Sequence, residues 1–282
     1  MKNTYENLPM PQMPIGVKQF QNHRSKRVGH WHEEIELLYF TEGSAIISCN
    51  LREYKVQKGD IVVVNGKELH SGNLANLTST YYCIHVNTAF FDNRIGNEYV
   101  IFDTLIRDAD CSALLDEVIR RSQERGFANE IEIKRLMYSF FSRLSQTAVR
   151  AVLAESDYQR EFKKLDTFNR IVEYVEKHYG EEMNVSLLAD RFYMSTSYFA
   201  HFFKQKAKKS VIQYINEVRI AHAKSFLERE EMSVGEIADR CGFGDFNYFS
   251  RKFKAIEGMS PTAYKRQCDE RASTLGSITV TE

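Results

Sequence analysis

The sequence predicts two domains in series, a β-barrel followed by helices and then an all-α unit built around two helix-turn-helix motifs. Three observations predict this order. Short apolar runs separated by turn residues fill residues 15–90, the hydrophobic period becomes helical after residue 100, and one helix-turn-helix pattern occurs twice between Val185 and Ser260. The length agrees: at 282 residues the chain exceeds the roughly 250 residues beyond which single cores stop growing.

In the first domain, residues 1–155, the strands expected are Ile35–Phe40, Ala45–Ser48, Ile61–Val64 and Tyr81–Val86. The turns between them are Glu42-Gly43, Lys58-Gly59-Asp60, Asn65-Gly66 and Ser71-Gly72-Asn73. Such spacing suits antiparallel strands in a sandwich or small barrel. Leu114, Leu115, Val118 and Ile119 then mark one amphipathic helix, and Ile133, Leu136, Met137, Phe140, Phe141 and Leu144 a longer one. Residues 156–167 are polar and charged and are read as a linker. Helices follow over Phe168–Tyr179, Val185–Tyr193, Thr196–Lys206, Val211–Glu228, Val234–Cys241 and Phe246–Ile256, with the second domain ending at 267 and a flexible tail at 268–282.

Composition narrows the function classes. Basic and acidic residues number 38 each, so no global charge draws the chain to nucleic acid, but Lys204, Lys206, Lys208 and Lys209 form one local basic run and Arg251, Lys252 and Lys254 a second. No apolar run approaches the ~20 residues of a membrane span and the first residues lack a secretory pattern, so the expected location is the cytoplasm, with no membrane partner. Cys49, Cys83, Cys111, Cys241 and Cys268 are scattered without a C-x-x-C pair and are read as reduced thiols.

The repeat carries the strongest signal. VSLLADRFYMSTSYFAHFFKQKAKKS from Val185 recurs as VGEIADRCGFGDFNYFSRKFKAIEGMS from Val234, with Ala189-Asp190-Arg191 matching Ala238-Asp239-Arg240 and Tyr198-Phe199 matching Tyr248-Phe249 after one inserted residue. Ser195 or Thr196 in the first copy and Asp245 in the second can accept orphan N–H groups at the start of the second helix. Ala189 and Ala238 are small where two helices cross closely. Phe199, Phe202 and Phe203, like Phe249 and Phe253, form an inward stripe. The opposite faces carry Ser197, Ala200, His201 and Lys204 in one copy and Asn247, Ser250, Arg251 and Lys254 in the other, each at helical spacing and each able to enter a major groove.

The second copy with its exit, IADRCGFGDFNYFSRKFKAIEGMSPTAYKR from Ile237, closely resembles the signature of the AraC/XylS family of transcription regulators. In that signature an I-A-x-x-x-G-F segment leads to Y-F-x-R-x-F-K, G-x-S-P and a Tyr followed by a basic residue. Here these are Ile237, Ala238, Gly242, Phe243, Tyr248, Phe249, Arg251, Phe253, Lys254, Gly258, Ser260, Pro261, Tyr264 and Lys265, and Arg219, Ala223 and Leu227 occupy the family's positions in the linking helix. One position departs: Lys208 stands where the family has Gly after the first recognition helix. A non-glycine residue in a left-handed cap costs up to about 1 kcal/mol. Either the cap geometry differs or the basic side chain serves a phosphate.

The resemblance implies a sequence-specific regulator, an activator, in which Val211–Glu228 holds both motifs against one face of double-stranded promoter DNA, one turn or ~34 Å apart. Guanidinium can bond guanine O6 and N7 together, which makes Arg251 the leading base reader, and Asn247 can pair with adenine. His201 and Ser250 are secondary readers. Lys204, Lys208 and Lys254 are assigned to phosphates. With Ala200 at a reading position, the first copy contributes less readout than the second.

In the first domain, HWHEEIELLYFTEG from His30 and KGDIVVVNGKELHSG from Lys58 look like the two halves of a cupin barrel. Alternation puts His30, His32 and Glu36 on one strand face, and the second half brings His70 beside them. Three histidines and a carboxylate are a possible metal set. The second half departs from the metal-cupin pattern, with Asn65 where Pro is usual and Lys67 where Gly is usual. Sensor domains of the resembled family generally bind small organic effectors, often sugars. The residues are therefore read as a polar effector site, His30, His32, Glu36, His70, Tyr81 and His85, with metal binding or purely structural histidines as alternatives and no cofactor expected. The resemblance further implies RNA polymerase as a partner and a homodimer, for which Leu136, Phe140 and Leu144 are the interface candidates. Two rival classes remain: a metal-dependent cupin enzyme with a DNA-binding tail, and a ligand-independent activator whose barrel serves only dimerisation.

Overall fold

The computed structural model describes residues 4–5, 15–21, 29–73, 79–91, 93–124, 126–229 and 232–277. They fall into two compact units, Met1–Arg170 and Ile171–Glu282. The first contains β1 (Thr4–Tyr5), β2 (Ile15–Gln21), β3 (His30–Trp31), β4 (Ile35–Cys49), β5 (Arg52–Gln57), β6 (Ile61–Val64), β7 (His70–Asn73), β8 (Ser79–Val86), β9 (Arg94–Ile95), β10 (Glu98–Phe102) and β11 (Leu105–Ile106). Helices α1 (Ala109–Ser122) and α2 (Phe127–Thr147), strand β12 (Val149–Ala154) and helix α3 (Glu155–His178) follow. The second unit continues with α4 (Val185–Arg191), α5 (Thr196–Ala207), α6 (Val211–Arg229), α7 (Val234–Arg240), α8 (Phe246–Glu257) and α9 (Pro261–Ser277).

Strand β4 organises the barrel. Its first part, Ile35–Tyr39, pairs with β6 on one side and β8 on the other, and β8 pairs onward with β2. Its last part, Ser44–Cys49, pairs with β5 and β7, and β7 pairs onward with β3. The two expected strands Ile35–Phe40 and Ala45–Ser48 are thus one strand shared by two sheets. Glu42-Gly43 is not a reversal: the β4·β8 register shifts between Phe40 and Glu42, and Gly43 takes a positive φ of 71°, so the chain bends from one sheet into the next. The reversal comes later, at Asn50 and Leu51, both at positive φ. A three-stranded sheet, β12-β10-β9, has no counterpart in the sequence reading.

Alternation along the strands separates two cores. Ile35, Leu37, Tyr39, Ile84 and Val86 pack in one cluster with Leu115, Val118, Ile133, Leu136, Met137, Phe140, Phe141 and Leu144 of the helices. Leu38, Phe40, Val62, Val64, Tyr81 and Cys83 face the barrel interior. Leu136, Phe140 and Leu144 are therefore core residues, at 4%, 0% and 0% exposure, and cannot be the dimer contacts they were expected to be. Their stripe is spent on the barrel's outer face. The exposed apolar residues of α2 are Phe127, Ile131 and Tyr138 instead.

The expected linker 156–167 is helical. Its charges form one solvated face, with Arg160 bonded to Asp157 and Lys164 to Glu161, while Tyr158 stacks on Tyr99 and Phe162 on Tyr158. A polar stretch read as a connector is the first half of an amphipathic helix, so the helix expected from Phe168 begins at Glu155. Helix α9 likewise runs to Ser277, through most of the expected flexible tail, and residues 278–282 lie outside the described residues.

In the second unit the two motifs share one turn geometry. Met194 N–H donates to Ala189 O at 2.9 Å, and Phe243 N–H donates to Ala238 O at 3.0 Å. Ser195 and Asp245 accept from the backbone N–H of Tyr198 and Tyr248, as helix-entry caps. Helix α6 is buried on several faces and ties the unit together: Tyr214 donates to Glu176, Asn216 to Tyr248, and Arg219 to the carbonyls of Tyr179 and Glu181. The second motif's turn passes so close to this guanidinium that a Cβ on Gly242 would lie 2.9 Å from Arg219 Nη2 and 2.8 Å from Tyr179 O. Tyr193, the corresponding residue of the first motif, takes the same left-handed conformation at φ 56° with its side chain almost wholly exposed.

Gly242→Ala therefore meets both a positive φ and backbone atoms, whereas Gly258→Ala meets a similar φ of 79° in open space. Urea unfolding is expected to show a loss of about 1 kcal/mol for Gly258→Ala and a clearly larger loss for Gly242→Ala. Equal losses would mean that the crowding at Gly242 is not real.

Candidate functional site

The helix-turn-helix unit presents two comparable faces. On α5, Ser197, Ala200, His201 and Lys204 are exposed, as is Lys208 just past its end. On α8, Asn247, Arg251 and Lys254 are exposed and Ser250 is half-buried. The opposite sides are closed by Phe199, Phe202 and Phe203 and by Phe249 and Phe253, all buried. Among the described residues, Lys204, Lys208, Arg251 and Lys254 form no ion pair, while neighbouring cations are committed: Lys209 pairs with Glu217 at 2.7 Å, Lys224 with Glu257 at 2.6 Å, and Lys252 sits over the Tyr248 ring. Four cations without an ion pair thus lie on or beside the outward faces. A chain with no net charge can still offer phosphates a local positive surface.

Lys208 resolves the departure noted in the sequence. It closes α5 in the left-handed conformation at φ 57°, with its N–H donating to Lys204 O, just as Gly258 closes α8 at φ 79° with its N–H donating to Lys254 O. The cap is kept and the strain of a side chain accepted. Lys208→Gly is expected to raise the unfolding free energy by up to about 1 kcal/mol in urea titrations. No gain, or a loss, would place Lys208 in an unstrained conformation.

The barrel site is built around one carboxylate. Glu36 on β4 is fully buried, and pairing in register sets His85 of β8 directly opposite it and Cys83 opposite Leu38. On the adjoining strands His30 of β3 faces His70 of β7 in register, with ring centroids 4.1 Å apart. Glu36 Oε2 lies 2.6 Å from His70 Nε2 and 3.2 Å from His32 Nε2, and Oε1 lies 3.8 Å from His85 Nε2. Cys83 Sγ donates to Glu36 Oε1 at 2.6 Å and lies 3.1 Å from His85 Nε2. Burial by itself would push the Glu36 carboxyl up, but the neighbouring His70, hydrogen bonds from His32 and His70, and His85 together hold it well below the usual range. Five of the six expected effector-site residues are brought together. Tyr81 is not: it belongs to the apolar interior, stacked on Phe20 and Phe40, each at 5.2 Å. Cys83 is the residue the site gains, and its only signal in the sequence was its parity with His85.

The two residues that depart from the metal-cupin pattern each have hydrogen-bond partners of their own. Asn65 Nδ2 donates to Phe102 O and Asn65 Oδ1 accepts from Phe102 N–H, latching β10 to the turn after β6. Its amide also reaches the buried Glu68, which Arg150 Nη2 binds at 2.7 Å. Lys67 adopts a left-handed φ of 60°, gives its N–H to His32 O, and lays its ammonium over Phe162. Asn65→Ala would leave the buried Phe102 N–H and C=O without these partners, at about 1–3 kcal/mol each. A thermal shift assay is expected to show a marked drop in Tm; an unchanged Tm would remove the latch.

Comparisons with known proteins follow this division. Residues 16–141 match the model of an AraC-like ligand binding domain, and residues 188–267 match that of a helix-turn-helix domain. The chain is 25% identical over 252 residues to the HTH-type transcriptional regulator YdeC of Bacillus subtilis, covering 84% of this chain and 85% of that one. It is 23% identical over 254 residues to the HTH-type transcriptional activator RhaR of Enterobacter sp., covering 86% and 88%. Among solved structures, the DNA-binding domain of AdpA in complex with a target DNA is 31% identical over 36% of this chain and 92% of that one, with a TM-score of 0.35. ToxT of Vibrio cholerae is 14% identical over 90% of this chain and 97% of that one, with a TM-score of 0.40.

Proposed function

The chain belongs to the AraC/XylS family of DNA-binding transcription regulators, and from that membership we propose that it is a cytoplasmic activator, not an enzyme, whose barrel receives a small polar effector such as a sugar. The observation that carries the DNA half is the pair of outward faces, on α5 and α8, whose cations are left unpaired on helices held by a common α6. Its support for activation is that full-length relatives are named transcriptional activators. No helix among the described residues is long and apolar enough to cross a membrane.

On DNA, α8 supplies most of the readout. Arg251 is exposed and free to fork onto a guanine edge, and Asn247, one turn earlier, suits an adenine. Lys204, Lys208 and Lys254 lie where phosphates flank a groove-bound helix and set register. On α5, His201 and Ser197 offer hydrogen bonds, while Ala200 offers only apolar contact, to a thymine methyl. In the barrel, His30, His32, Glu36 and His70 are buried polar side chains with the half-buried His85 beside Glu36, and this supports a polar rather than an apolar effector. An activator of this kind works with RNA polymerase and as a homodimer. The dimer contact is sought on the outer face of α2, around Ile131 and Tyr138, since the inner stripe is core.

Gel-shift titrations on an operator set mutated base by base test the DNA assignment. Arg251→Ala is expected to lose about 1–3 kcal/mol and to relax one base position, whereas Lys204→Ala and Lys254→Ala weaken all sequences alike and each reduce the salt slope by about 1. A uniform loss for Arg251→Ala would sink its role as a base reader. Calorimetry with a panel of sugars, run beside the same gel shifts, tests the effector half; a ligand that binds without altering operator affinity would count against sensing.

A further inference from the structure

We propose that the barrel of this protein holds a divalent first-row transition-metal cation, bound by His30, His32, Glu36 and His70. The donor atoms of these four buried side chains lie within 4.8 Å of one another, although they come from β3, the segment before β4, β4 itself and β7. In a tetrahedral site with bonds of roughly 2.0–2.2 Å the ligand atoms sit roughly 3.3–3.6 Å apart, so modest side-chain rotation adjusts the set, widening the 2.6 Å Glu36–His70 approach and closing the longer ones. Three imidazole nitrogens and one carboxylate oxygen are a donor set suited to Zn²⁺, Fe²⁺, Co²⁺ or Ni²⁺.

The orientation of the rings carries the inference further than proximity. His32 Nδ1 lies 3.1 Å from Glu34 O, and His70 Nδ1 lies 2.9 Å from Glu68 O. A carbonyl oxygen can only accept, so in both rings the Nδ1 carries the proton and the Nε2 is turned toward Glu36. Two Nε2 atoms and a carboxylate oxygen then converge on one buried volume, with Glu36 Oε2 2.6 Å from His70 Nε2 and 3.2 Å from His32 Nε2. Nδ1–H bonded to a backbone carbonyl with Nε2 facing inward is also how metal-bound histidines are held in orientation.

Asn65 and Lys67, where the metal-cupin pattern has Pro and Gly, are occupied in latching β10 and in a left-handed turn, and His70 still arrives beside Glu36. Cys83 and His85 form a second rank against the other carboxylate oxygen, close enough to Glu36 to make a thiol and an imidazole part of the metal's surroundings. The metal site stands on this geometry; that it takes part in sensing rests on the reading of the barrel as the sensor.

The test uses the full chain, stripped with a chelator and dialysed, then titrated with Zn²⁺ and with Co²⁺ as a spectroscopic probe. The expected result is one metal per chain, a raised Tm and Co²⁺ d–d absorption typical of low coordination. Glu36→Gln and His70→Ala are each expected to weaken binding on the order of 100-fold or more, beyond the ~10–100-fold that outer-sphere partners alone can cost. His178→Ala, whose imidazole pairs with Glu181 at the end of α3, should bind metal as the parent does. Circular dichroism reports whether each variant folds; should His70→Ala fail to fold, the near-isosteric Glu36→Gln decides. The proposal is overturned if the stripped chain takes up neither ion at tens of micromolar, or if Glu36→Gln binds as tightly as the parent. Operator affinity measured with and without metal keeps the two readings apart. Stoichiometric metal that leaves DNA binding unchanged upholds the site and counts against sensing, whereas a sugar response in a chain that binds no metal overturns the site and leaves sensing intact.

Discussion

The second unit depends on one buried guanidinium. Arg219 donates Nε–H to Tyr179 O at 2.8 Å and Nη2–H to Glu181 O at 2.7 Å, and its plane lies near the Phe243 ring. A buried cation is costly unless its donors are met, and burial accordingly pulls the Arg219 pKa below its ordinary value. Here the backbone carbonyls at the end of α3 meet it, so one side chain on α6 both finishes a neighbouring helix and fixes the turn of the second motif. The absence of a side chain at Gly242 follows from the same contact.

Glu36 plays the corresponding part in the barrel, though with a different balance. Its carboxylate is fully buried and is approached by His32, His70, His85 and Cys83 from two strands and a connecting segment, so it is the group around which the interior polar chemistry is arranged. The apolar remainder of the interior, with Leu38, Phe40 and Tyr81, is continuous with the same strand faces. A site at one end of a barrel and a core at the other are thus products of a single alternation along β4 and β8. The outward residues of those strands, Leu37 and Ile84 among them, are what the helical stripe of α2 covers.

Legibility varied with the kind of signal. The recognition helices were readable because their inward aromatic residues and outward polar residues both keep helical spacing, and the repeat supplied a second, independent copy. The cluster of His30, His32, Glu36 and His70 was reached through strand parity, although residues 32–34 form a connecting segment and parity alone does not bring His32 to Glu36. Leu136, Phe140 and Leu144 were misread as a dimer surface because an amphipathic stripe has the same appearance whether its partner is its own barrel or another chain. The N-terminal half of α3 was misread because ion pairs such as Arg160 with Asp157 make a solvated helix face resemble a linker, while the burying residues Tyr158 and Phe162 are few.

By itself the sequence determined what periodicity and local chemistry encode: two domains, a duplicated helix-turn-helix with named outward faces, and which side chains share the inner face of the barrel. Only the tertiary structure decided matters that turn on long-range partners. It made one strand of Ile35–Cys49 where two were expected, because a bulge and Gly43 let the chain pass between sheets. It also kept Lys208 in the left-handed cap, assigned Asn65 to Phe102, turned two imidazole Nε2 atoms on Glu36 and brought Cys83 to the same carboxylate. These facts depend on which residue stands opposite which across strands distant in sequence, and no local pattern carries that register.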